Sequence, residues 1–395
     1  MRRVHQVLAT LGYGDAIGHE VLGIQRVLRG AGYESEIFVE AADPRLEALT
    51  IDYRHLVDHS HPDNLLLHHF SLASKASRTA FALPDRMALI YHNITPPEFF
   101  VGLHRSLSSE CFRGRRELGA YRERCDIALG DSEFNRQDLE KLGFTRTGVL
   151  PVVPDFSHLD GPADRTVANI YDDAWTNVLF VGRMVPNKKI EDVIRFFHAY
   201  HQFFNPRSRL LLVGAQGGFE RYMAALHHLT STLGNSHVHF IGPVSNEELV
   251  AFYEVADLFL CASEHEGFCV PLVEAFHKQI PVVAYAAAAV PATMDGAGLL
   301  YSDKDPSNVA ALIDAVVSNL DVQDTVIRGQ LAAVDRLRAK DFDDSQQRAV
   351  EGVFASPRLP VPRVTFDFWY QFDAAEDLEE LRLDRPSIYK VLPSR

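Results

Sequence analysis

Residues 256–276 read ADLFLCASEHEGFCVPLVEAF, and this stretch predicts a strand, a loop and a helix. Residues 256–263 are mostly apolar, as in a strand that is buried on both faces of a parallel sheet. Pro271 stands where the first residue of a helix is expected, so residues 266–270 form the connecting loop. At the carboxyl end of such a strand, the backbone amides of the loop and of the helix start are suited to bind an anion.

Two acids, Glu266 and Glu274, flank the predicted helix start, and they allow two interpretations. They could act on a ligand beside the loop, either as a catalytic pair or by binding its polar groups. Acids near a helix N-terminus also stabilise the helix by about 0.3 to 1 kcal/mol without any further function. Position alone favours the interpretation that the acids stabilise the helix. Only the surrounding motifs can distinguish this from a role in ligand binding.

Short apolar runs alternate with longer amphipathic segments along the rest of the chain, which is typical of βα units and parallel sheets. We also predict a helix over residues 21–30 that ends near Gly32 and a helix that starts directly after Thr95. Strands are predicted at residues 4–10, 36–40, 65–69, 88–92, 127–131 and 148–153, and then at 177–182, 209–214, 238–242, 256–263, 280–285 and 298–301.

The alternation is interrupted at residues 151–176, which contain Pro154, Gly161 and Pro162 and are predicted to be a linker. The chain therefore divides into a first lobe over 1–160, a second lobe over 161–345 and a tail over 346–395. Ligands of open α/β sheets bind beyond the carboxyl ends of the strands, so the cleft between the lobes is the expected site. The tail has an aromatic cluster, and we expect it to pack back on the lobes rather than stay in water.

Composition excludes several classes of protein. The chain has 395 residues, of which 47% are hydrophobic and 23% charged, so it is expected to be globular with material for two cores. A formal net charge of −14 disfavours nucleic acid or an anionic membrane as a general partner. No apolar run reaches the roughly 20 residues of a membrane span, and the first residues resemble a strand more than a secretory signal.

The four cysteines, at positions 111, 125, 261 and 269, have no C-x-x-C spacing. Neither a zinc site nor a disulfide framework is indicated, and a reducing cytoplasm is the expected location.

A second candidate binding segment is residues 178–190, VLFVGRMVPNKKI, in which a buried strand is followed by Arg183 and Lys188. These two cations suit a diphosphate, although a solvated pair of charges on a loop is an equal alternative.

Three segments taken together resemble one known group of proteins: GRMVPNKK at 182–189, HVHFIGPVSNEELVAFYEVADLFLCAS at 237–263, and EHEGFCVPLVEAFHKQIPVVA at 264–284. They resemble the retaining glycosyltransferases of the two-lobed GT-B architecture, family 4. The first lobe resembles this family more loosely, through the glycine-rich residues 12–18 and through ALIYHNITP at 88–96. The resemblance implies an α/β fold of two Rossmann-like lobes whose parallel sheets face each other across a cleft.

The resemblance also implies a role for individual residues. Arg183 and Lys188 would bind the donor diphosphate, Glu274 the ribose and Glu266 the transferred sugar, while His92 would lie near the reacting carbon. The implied catalytic residues are His92, Glu266, Arg183 and Lys188, and the implied acceptor-binding residues are His69 and Asn93. The implied donor-binding residues are Gly14, Asp15, Gly182, Arg183, Lys188, Val244, Glu266, Gly267, Phe268, Cys269, Val270 and Glu274.

Retention of anomeric configuration also comes from the family. Its usual account is a same-face reaction in which the leaving phosphate helps to deprotonate the acceptor, so Glu266 is not assigned as a nucleophile. Three departures from the family pattern stand in the second lobe. Cys269 and Lys189 replace common glycines, and residues 277–279 replace a small residue and a glycine. We expect Cys269 to be a packing residue rather than a reactive thiol.

No metal and no other cofactor is expected. Residues 341–344 have a D-x-D form that some glycosyltransferases use for a metal, but they lie in a polar segment far from the strand ends. Arg183 and Lys188 already supply positive charge for a diphosphate.

The implied function is transfer of a hexose from a nucleotide sugar to a hydroxyl of a saccharide or glycolipid during polysaccharide assembly. The stretch YHNITPPEFF at 91–100 favours GDP-mannose as donor, with UDP-glucose or another UDP-sugar as the alternative. Two further alternatives are a GT-B epimerase or hydrolase of nucleotide sugars, and a non-catalytic GT-B partner subunit. The enzyme is expected in the cytoplasm or docked at the inner face of the membrane, without a nucleic-acid partner, and its oligomeric state is not predicted.

Overall fold

The computed structural model describes residues 2–12, 16–152, 156–365 and 367–390. The strands are β1 (Val4–Leu11), β2 (Ile37–Ala42), β3 (Ile51–Asp52), β4 (Leu65–Phe70), β5 (Arg86–Tyr91), β6 (Ile127–Gly130), β7 (Thr147–Val149), β8 (Thr176–Val181), β9 (Ser208–Val213), β10 (Val238–Gly242), β11 (Leu258–Cys261), β12 (Val282–Tyr285) and β13 (Leu299–Tyr301). The α-helices are α1 (Ala16–Gly30), α2 (Leu56–His59), α3 (Lys75–Ala82), α4 (Arg105–Leu118), α5 (Glu133–Lys141), α6 (Arg165–Tyr171), α7 (Ile190–Phe203), α8 (Glu220–Thr232), α9 (Asn246–Glu254), α10 (Val270–His277), α11 (Val290–Met294), α12 (Pro306–Val317), α13 (Leu320–Arg338), α14 (Phe342–Ala355), α15 (Tyr370–Asp384) and α16 (Pro386–Tyr389).

The chain forms two compact units. The first unit comprises Met1–Val153 together with Asp341–Arg395, and the second comprises Pro154–Lys340. The chain thus leaves the first unit once and returns to it, and α14 packs against α1 there. None of the helices in the described ranges combines the length and the apolar composition that crossing a bilayer requires.

The first unit is built on a seven-stranded sheet of order β3-β2-β1-β4-β5-β6-β7. Its recorded strand pairs are all parallel. Strand β4 is buried along its whole length, so its sequence, LLLHHF, does not alternate between buried and exposed positions, and its two histidines are buried with the leucines. The strand order reverses between β1 and β4, and His69 near the end of β4 and His92 after β5 lie at the carboxyl edge beside that reversal.

The second unit is built on a six-stranded sheet of order β10-β9-β8-β11-β12-β13. Strand β8 pairs with both β9 and β11, in parallel, so the order reverses between β8 and β11. Ligands of open α/β sheets bind at such a reversal. Because β8 and β11 are neighbours in register, the loops that follow them lie side by side although 78 residues separate Lys188 from Glu266.

The structure differs from the sequence-based expectations at three places. Strand β3 was not predicted, since it is only two residues long. The predicted linker contains α6, whose start is capped by the Asp164 side chain. The helix predicted directly after Thr95 is wrong, because residues 97–99 form only a 3-10 turn and α4 begins at Arg105. Gly102, which has a left-handed φ of 74°, lies between the turn and the helix and separates them.

The tail contacts the first unit through aromatic rings and charges. The rings of Phe368 and Trp369 lie 5.3 and 5.1 Å from the ring of Phe81. The guanidinium of Arg78 donates to Glu117, which is fully buried, and to Asp373 of α15. Because one cation connects a buried acid of α4 to an acid of α15, these contacts attach the tail to the helical layer of the first unit.

Three residues within the segments that depart from the family pattern have one structural feature in common. Lys189, Cys269 and Gln279 all have a left-handed backbone, with φ of 52°, 76° and 59°. A residue with a Cβ adopts this conformation at a cost of about 1 to 2 kcal/mol, which glycine avoids. At these three positions the chain therefore forms a left-handed backbone with residues that have a Cβ.

We predict that Gln279→Gly stabilises the second unit. Gln279 is exposed and follows α10 in a Schellman motif, where the amide of Ile280 donates to the carbonyl of Ala275 at 2.9 Å and that of Gln279 to Phe276 at 3.0 Å. Glycine relieves the left-handed strain but costs chain entropy, so we expect a net gain of about 0.5 to 1 kcal/mol. Urea denaturation measures it.

The matched control is Gln279→Ala, which removes the same side-chain atoms beyond Cβ but keeps the strain. It should give no gain. Equal stabilities of the glycine and alanine variants would contradict the interpretation.

Candidate functional site

Three strands of the second unit end in glycines. Gly182, Gly214 and Gly242 follow or end β8, β9 and β10, and each has a positive φ. A Cβ on Gly214 would lie 2.1 Å from the carbonyl oxygen of Gly182. The backbones at this edge of the sheet thus approach more closely than side chains allow, which fixes the course of the loop after β8.

Lys188 and Glu266 meet at this edge. The Lys188 Nζ lies 2.7 Å from Glu266 Oε1, and the two side chains are only 15% and 11% exposed. Burial alone would lower the pKa of Lys188, but the Glu266 carboxylate raises it above the ordinary value for lysine. Lys188 is therefore a buried, fully charged lysine, and the alternative of a solvated charge on a loop does not describe it.

Arg183 differs from Lys188 in its surroundings. It is exposed, and its guanidinium has no hydrogen bond or ion pair to any of the residues that the structure describes. Of the two predicted cations, Lys188 is thus neutralised by an acid and, within the described residues, Arg183 is not.

Asn187 connects the two loops through backbone groups. Its side-chain amide donates to the carbonyl of His265 at 2.9 Å, and its own carbonyl accepts from the amide of Glu264 at 2.9 Å. Sequence reasoning did not select Asn187, because an asparagine on a loop is common and its partners are backbone atoms 77 and 78 residues away. Its contacts hold Lys188 and Glu266 at their observed separation.

The loop from Gly267 to Val270 leads into α10. Cys269 is the N-cap residue and is buried, and the Thr293 hydroxyl donates to the carbonyl of Phe268 at 2.5 Å. A hydrogen bond with Cys261 and burial raise the pKa of the Cys269 thiol well above its usual value. The thiol is neutral and packed, as the sequence predicts. Val244, in the loop after β10, is half-buried.

Glu274 lies within α10 and is 7% exposed. Its two carboxylate oxygens accept from the Tyr253 hydroxyl at 2.8 Å and contact His158 Nε2 at 3.0 Å. The first turn of α10 contains no acid, so Glu274 is too far along the helix for the stabilising effect of acids at its start. Tyr253 and His158 were missed in the sequence, since neither has a distinctive spacing from Glu274.

The first unit brings together two of the predicted residues, His69 and His92. Their ring planes are nearly parallel and their centroids lie 5.1 Å apart, with His69 Nδ1 2.8 Å from His92 Nε2, so the two rings meet edge to edge. The other nitrogen of His92 lies 3.0 Å from Asp131 Oδ2 and 3.8 Å from Glu20 Oε2. Both ring nitrogens of His92 thus face side chains of the first unit. Burial and Asp131 raise the pKa of Glu20 to about 8.

Hydrogen-bond directions fix the tautomers of this pair. The Gln6 side-chain amide donates to the carbonyl of Val21 at 3.0 Å, so its Oε1 is an acceptor and accepts a hydrogen bond from His69 Nε2 at 2.9 Å. Burial lowers the pKa of His69 well below its usual value, so His69 is neutral and its Nδ1 is an acceptor. His92 therefore donates from Nε2, and its Nδ1 is the atom that faces Asp131 and Glu20.

The remaining predicted residues are separate from these contacts. The Asn93 amide donates to Asn135 Oδ1 at 2.8 Å, while Gly14 and Asp15 lie outside the described residues. In the D-x-D segment, the Asp341 carboxylate accepts from the amide of Asp344 at 2.9 Å and so caps α14. This aspartate has an ordinary structural role.

Part of the second unit is similar in sequence to a known family. Residues 164–328 match the family "Glycosyl transferases group 1". The matched segment lies within the second unit and contains Lys188, Glu266 and Glu274.

Two curated relatives are similar over the same region. O-antigen chain mannosyltransferase B of Escherichia coli is 28% identical over 173 residues, which cover 44% of this chain and 44% of that protein. D-inositol 3-phosphate glycosyltransferase of Mycobacterium sp. (strain KMS) is 32% identical over 207 residues, which cover 50% of this chain and 46% of that protein. The chain thus matches less than half of the length of these two curated relatives.

Solved structures extend the likeness to the fold of nearly the whole chain. HepE of Anabaena in complex with UDP-glucose has a TM-score of 0.72 at 17% identity and covers 89% of this chain and 100% of its own. Sucrose-phosphate synthase from Thermosynechococcus elongatus has a TM-score of 0.70 at 16% identity and covers 90% and 100%. The predicted fold class, α/β of the GT-B type with two Rossmann-like lobes, is confirmed.

We predict that Lys188 and Glu266 stabilise the second unit as a pair. Lys188→Met or Glu266→Gln alone leaves a buried, unpaired partner and should cost about 3 kcal/mol. The double variant should cost less than the sum, with a coupling of about 2 kcal/mol in a double-mutant cycle measured by urea denaturation.

The exposed pair Arg336–Asp295 of the same unit, with side chains 53% and 57% exposed, is the control. Its coupling should be below about 1 kcal/mol. A Lys188–Glu266 coupling no larger than that of the control would show that the buried contact contributes nothing.

We also predict that His68 makes the stability of the first unit depend on pH. His68 is fully buried, and burial lowers its pKa to about 3. Because the folded pKa lies below the unfolded value of about 6.5, the stabilising contribution is complete above that value and is lost as pH falls towards 3. Between pH 6 and 4 the free energy of unfolding should fall about 1.4 kcal/mol per pH unit faster in the wild type than in His68→Gln.

The exposed His61→Gln variant is the control and should keep the wild-type slope. Identical slopes for the wild type and His68→Gln would contradict the assignment.

Proposed function

We propose that the protein is a glycosyltransferase that binds a nucleotide-sugar donor at the carboxyl edge of the second sheet. The main support is the buried Lys188–Glu266 contact, which joins the loops after β8 and β11 within the segment that matches the glycosyl transferases group 1 family. A structural salt bridge alone would not require an exposed arginine, a glycine-ended strand edge and a helix start beside it.

Arg183 and Lys188 are proposed to bind the diphosphate of the donor. A guanidinium and an ammonium provide charge-assisted hydrogen bonds to phosphate oxygens, and they offset the charge that develops as the nucleoside diphosphate leaves. We propose that no metal acts on the diphosphate, since Asp341 caps a helix and the two cations supply the charge. The amides at the start of α10 would add further donors.

The two glutamates are proposed to bind hydroxyl groups. Glu274 is held by donors from Tyr253 and His158, and a carboxylate can accept further bonds from ribose hydroxyls because each oxygen has two lone pairs. Glu266 would accept from hydroxyls of the transferred sugar. The loop residues Gly267 to Val270 would close the sugar pocket, and Val244 would contact the base.

The donor is proposed to be GDP-mannose, with a UDP-sugar as the alternative. The similarity to an O-antigen chain mannosyltransferase supports mannose, while the fold of a protein solved with UDP-glucose supports the alternative. Retention of configuration is proposed from the family resemblance, with the leaving phosphate assisting deprotonation of the acceptor. A saccharide or glycolipid acceptor in polysaccharide assembly, in the cytoplasm or at the inner face of the membrane, completes the proposal.

The acceptor is proposed to bind the first unit near His69, His92 and Asn93. Since both ring nitrogens of His92 face side chains of its own unit, we propose that its backbone and ring edge, rather than its nitrogens, contact the substrate. Two other functions use the same donor site. An epimerase or hydrolase would change or release the sugar without an acceptor, and a non-catalytic subunit would bind the donor without turnover.

The test is a binding and turnover screen with UDP-, GDP-, ADP- and dTDP-sugars on the wild type, Arg183→Ala and Glu266→Ala. Loss of charge-assisted hydrogen bonds should weaken binding of the preferred donor by about 10- to 100-fold in Arg183→Ala. Glu266→Ala should reduce turnover more than binding of the free nucleoside diphosphate, because its proposed partner is the sugar.

Arg207→Ala is the matched control, since Arg207 is exposed and precedes β9 at the opposite edge of the same sheet. It should bind and react as the wild type does. The proposed donor site is contradicted if no nucleotide sugar binds, or if Arg183→Ala binds and turns over the donor as well as Arg207→Ala does. Release of free or altered sugar without any acceptor would identify the hydrolase or epimerase instead.

A further inference from the structure

A second cluster of chemical groups lies in the first unit, apart from the proposed diphosphate site. Glu20 on α1, His92 after β5 and Asp131 after β6 each direct one ligand atom to a common point, and these atoms all lie within 4.8 Å of one another. Three different elements thus place two carboxylates and an imidazole together at the carboxyl edge of the first sheet.

Two oxygens of this cluster are buried without a hydrogen-bond partner. They are Glu20 Oε1 and Asp131 Oδ1, on residues that are only 2% and 6% exposed. A carboxylate that loses water without gaining a donor or a cation is costly. The cluster therefore contains more acceptors than the described side chains can satisfy.

The tautomer of His92 also leaves the carboxylates of the cluster without a hydrogen-bond donor from its ring. Gln6 and His69 require that His92 donates from Nε2. In a neutral ring, Nδ1 then presents a lone pair to Asp131 at 3.0 Å and to Glu20 at 3.8 Å. A lone pair and two carboxylates repel one another by themselves, but they are together the ligands of a cation.

We propose that Glu20, His92 Nδ1 and Asp131 bind a divalent transition-metal ion such as Zn²⁺ or Mn²⁺. Two carboxylates balance its charge, and imidazole with carboxylate suits these metals better than Mg²⁺. His69 and Gln6 act as the outer partners that fix the ring orientation of a metal-binding histidine. The bound ion holds His92 in place and is separate from the donor diphosphate, so the proposal does not depend on the proposed function.

The competing explanation is an extra proton in the cluster, either on His92 Nδ1 or on Glu20, whose pKa is raised by burial and by Asp131. A proton on Glu20 would still leave Asp131 Oδ1 without a donor. An imidazolium would satisfy Asp131 Oδ2, but it would leave Glu20 Oε1 and Asp131 Oδ1 without donors. A cation among the three groups reaches both carboxylates, so we favour the metal. The sequence-based expectation that no metal binds rested on the D-x-D segment and on the diphosphate, and it did not include this cluster.

The test uses the full chain, purified, treated with EDTA and dialysed. Titration with Zn²⁺ or Mn²⁺ should show one tight site by calorimetry, and a hundredfold excess over Kd should raise Tm by about 5 °C, with a much smaller effect of Mg²⁺. Glu20→Gln and Asp131→Asn should each abolish the site. Glu34→Gln, which removes an exposed acid of the same unit, should keep it.

If the variants fail to fold, the nitrogen-15 NMR spectrum of His92 in the wild type tests the proposal instead. Metal binding should change the Nδ1 signal while Nε2 remains protonated. A metal-free protein in which both nitrogens are protonated at pH 7.5, and in which neither Zn²⁺ nor Mn²⁺ at 100-fold excess over protein changes Tm or the spectrum, would overturn the proposal.

Discussion

The parallel pairing of β8 with β11 is the constraint on which the second unit depends. In register, Val178 faces Leu258 and Leu179 faces Phe259, so both strands end at the same edge and their loops must lie side by side. Lys188 and Glu266 then meet although they are far apart in sequence. Asn187 fixes the distance between the loops through backbone hydrogen bonds. The charged contact is therefore a consequence of strand order rather than its cause.

The second unit forms several left-handed turns with residues other than glycine. Lys189, Cys269 and Gln279 keep positive φ although each has a Cβ, because the surrounding hydrogen bonds determine the conformation. After Gln279 the Schellman hydrogen bonds close α10, and before α10 the Cys269 turn sets the direction of the helix start. Ala288 and Asp295 have the same conformation, so the strain in the described part of this unit is distributed over five sites, each of about 1 to 2 kcal/mol, which a unit with a large buried core tolerates.

The sequence predicted the fold well because buried parallel strands are apolar runs, as in LFLC of β11, and turn residues separate them. It failed where the local signal was ambiguous, as after Thr95, where a capping pattern produced only a 3-10 turn. In the second unit the motif residues are held on two adjacent loops, so spacing was informative. In the first unit Gln6, Glu20 and Asp131 meet His92 only because strand order brings them together, and no spacing in the sequence indicates it.

The charges around Lys188 explain how a chain of net charge −14 can offer a site to an anion. Glu266 neutralises Lys188 and keeps its ammonium in place at 2.7 Å, whereas Arg183 is exposed. On the proposed function, a diphosphate first meets Arg183, and Lys188 then exchanges its carboxylate partner for phosphate. Glu266, released from the ammonium, accepts from the sugar hydroxyls instead. Each buried charge has a partner before and after binding, so the desolvation cost of an unpaired charge is avoided in both states.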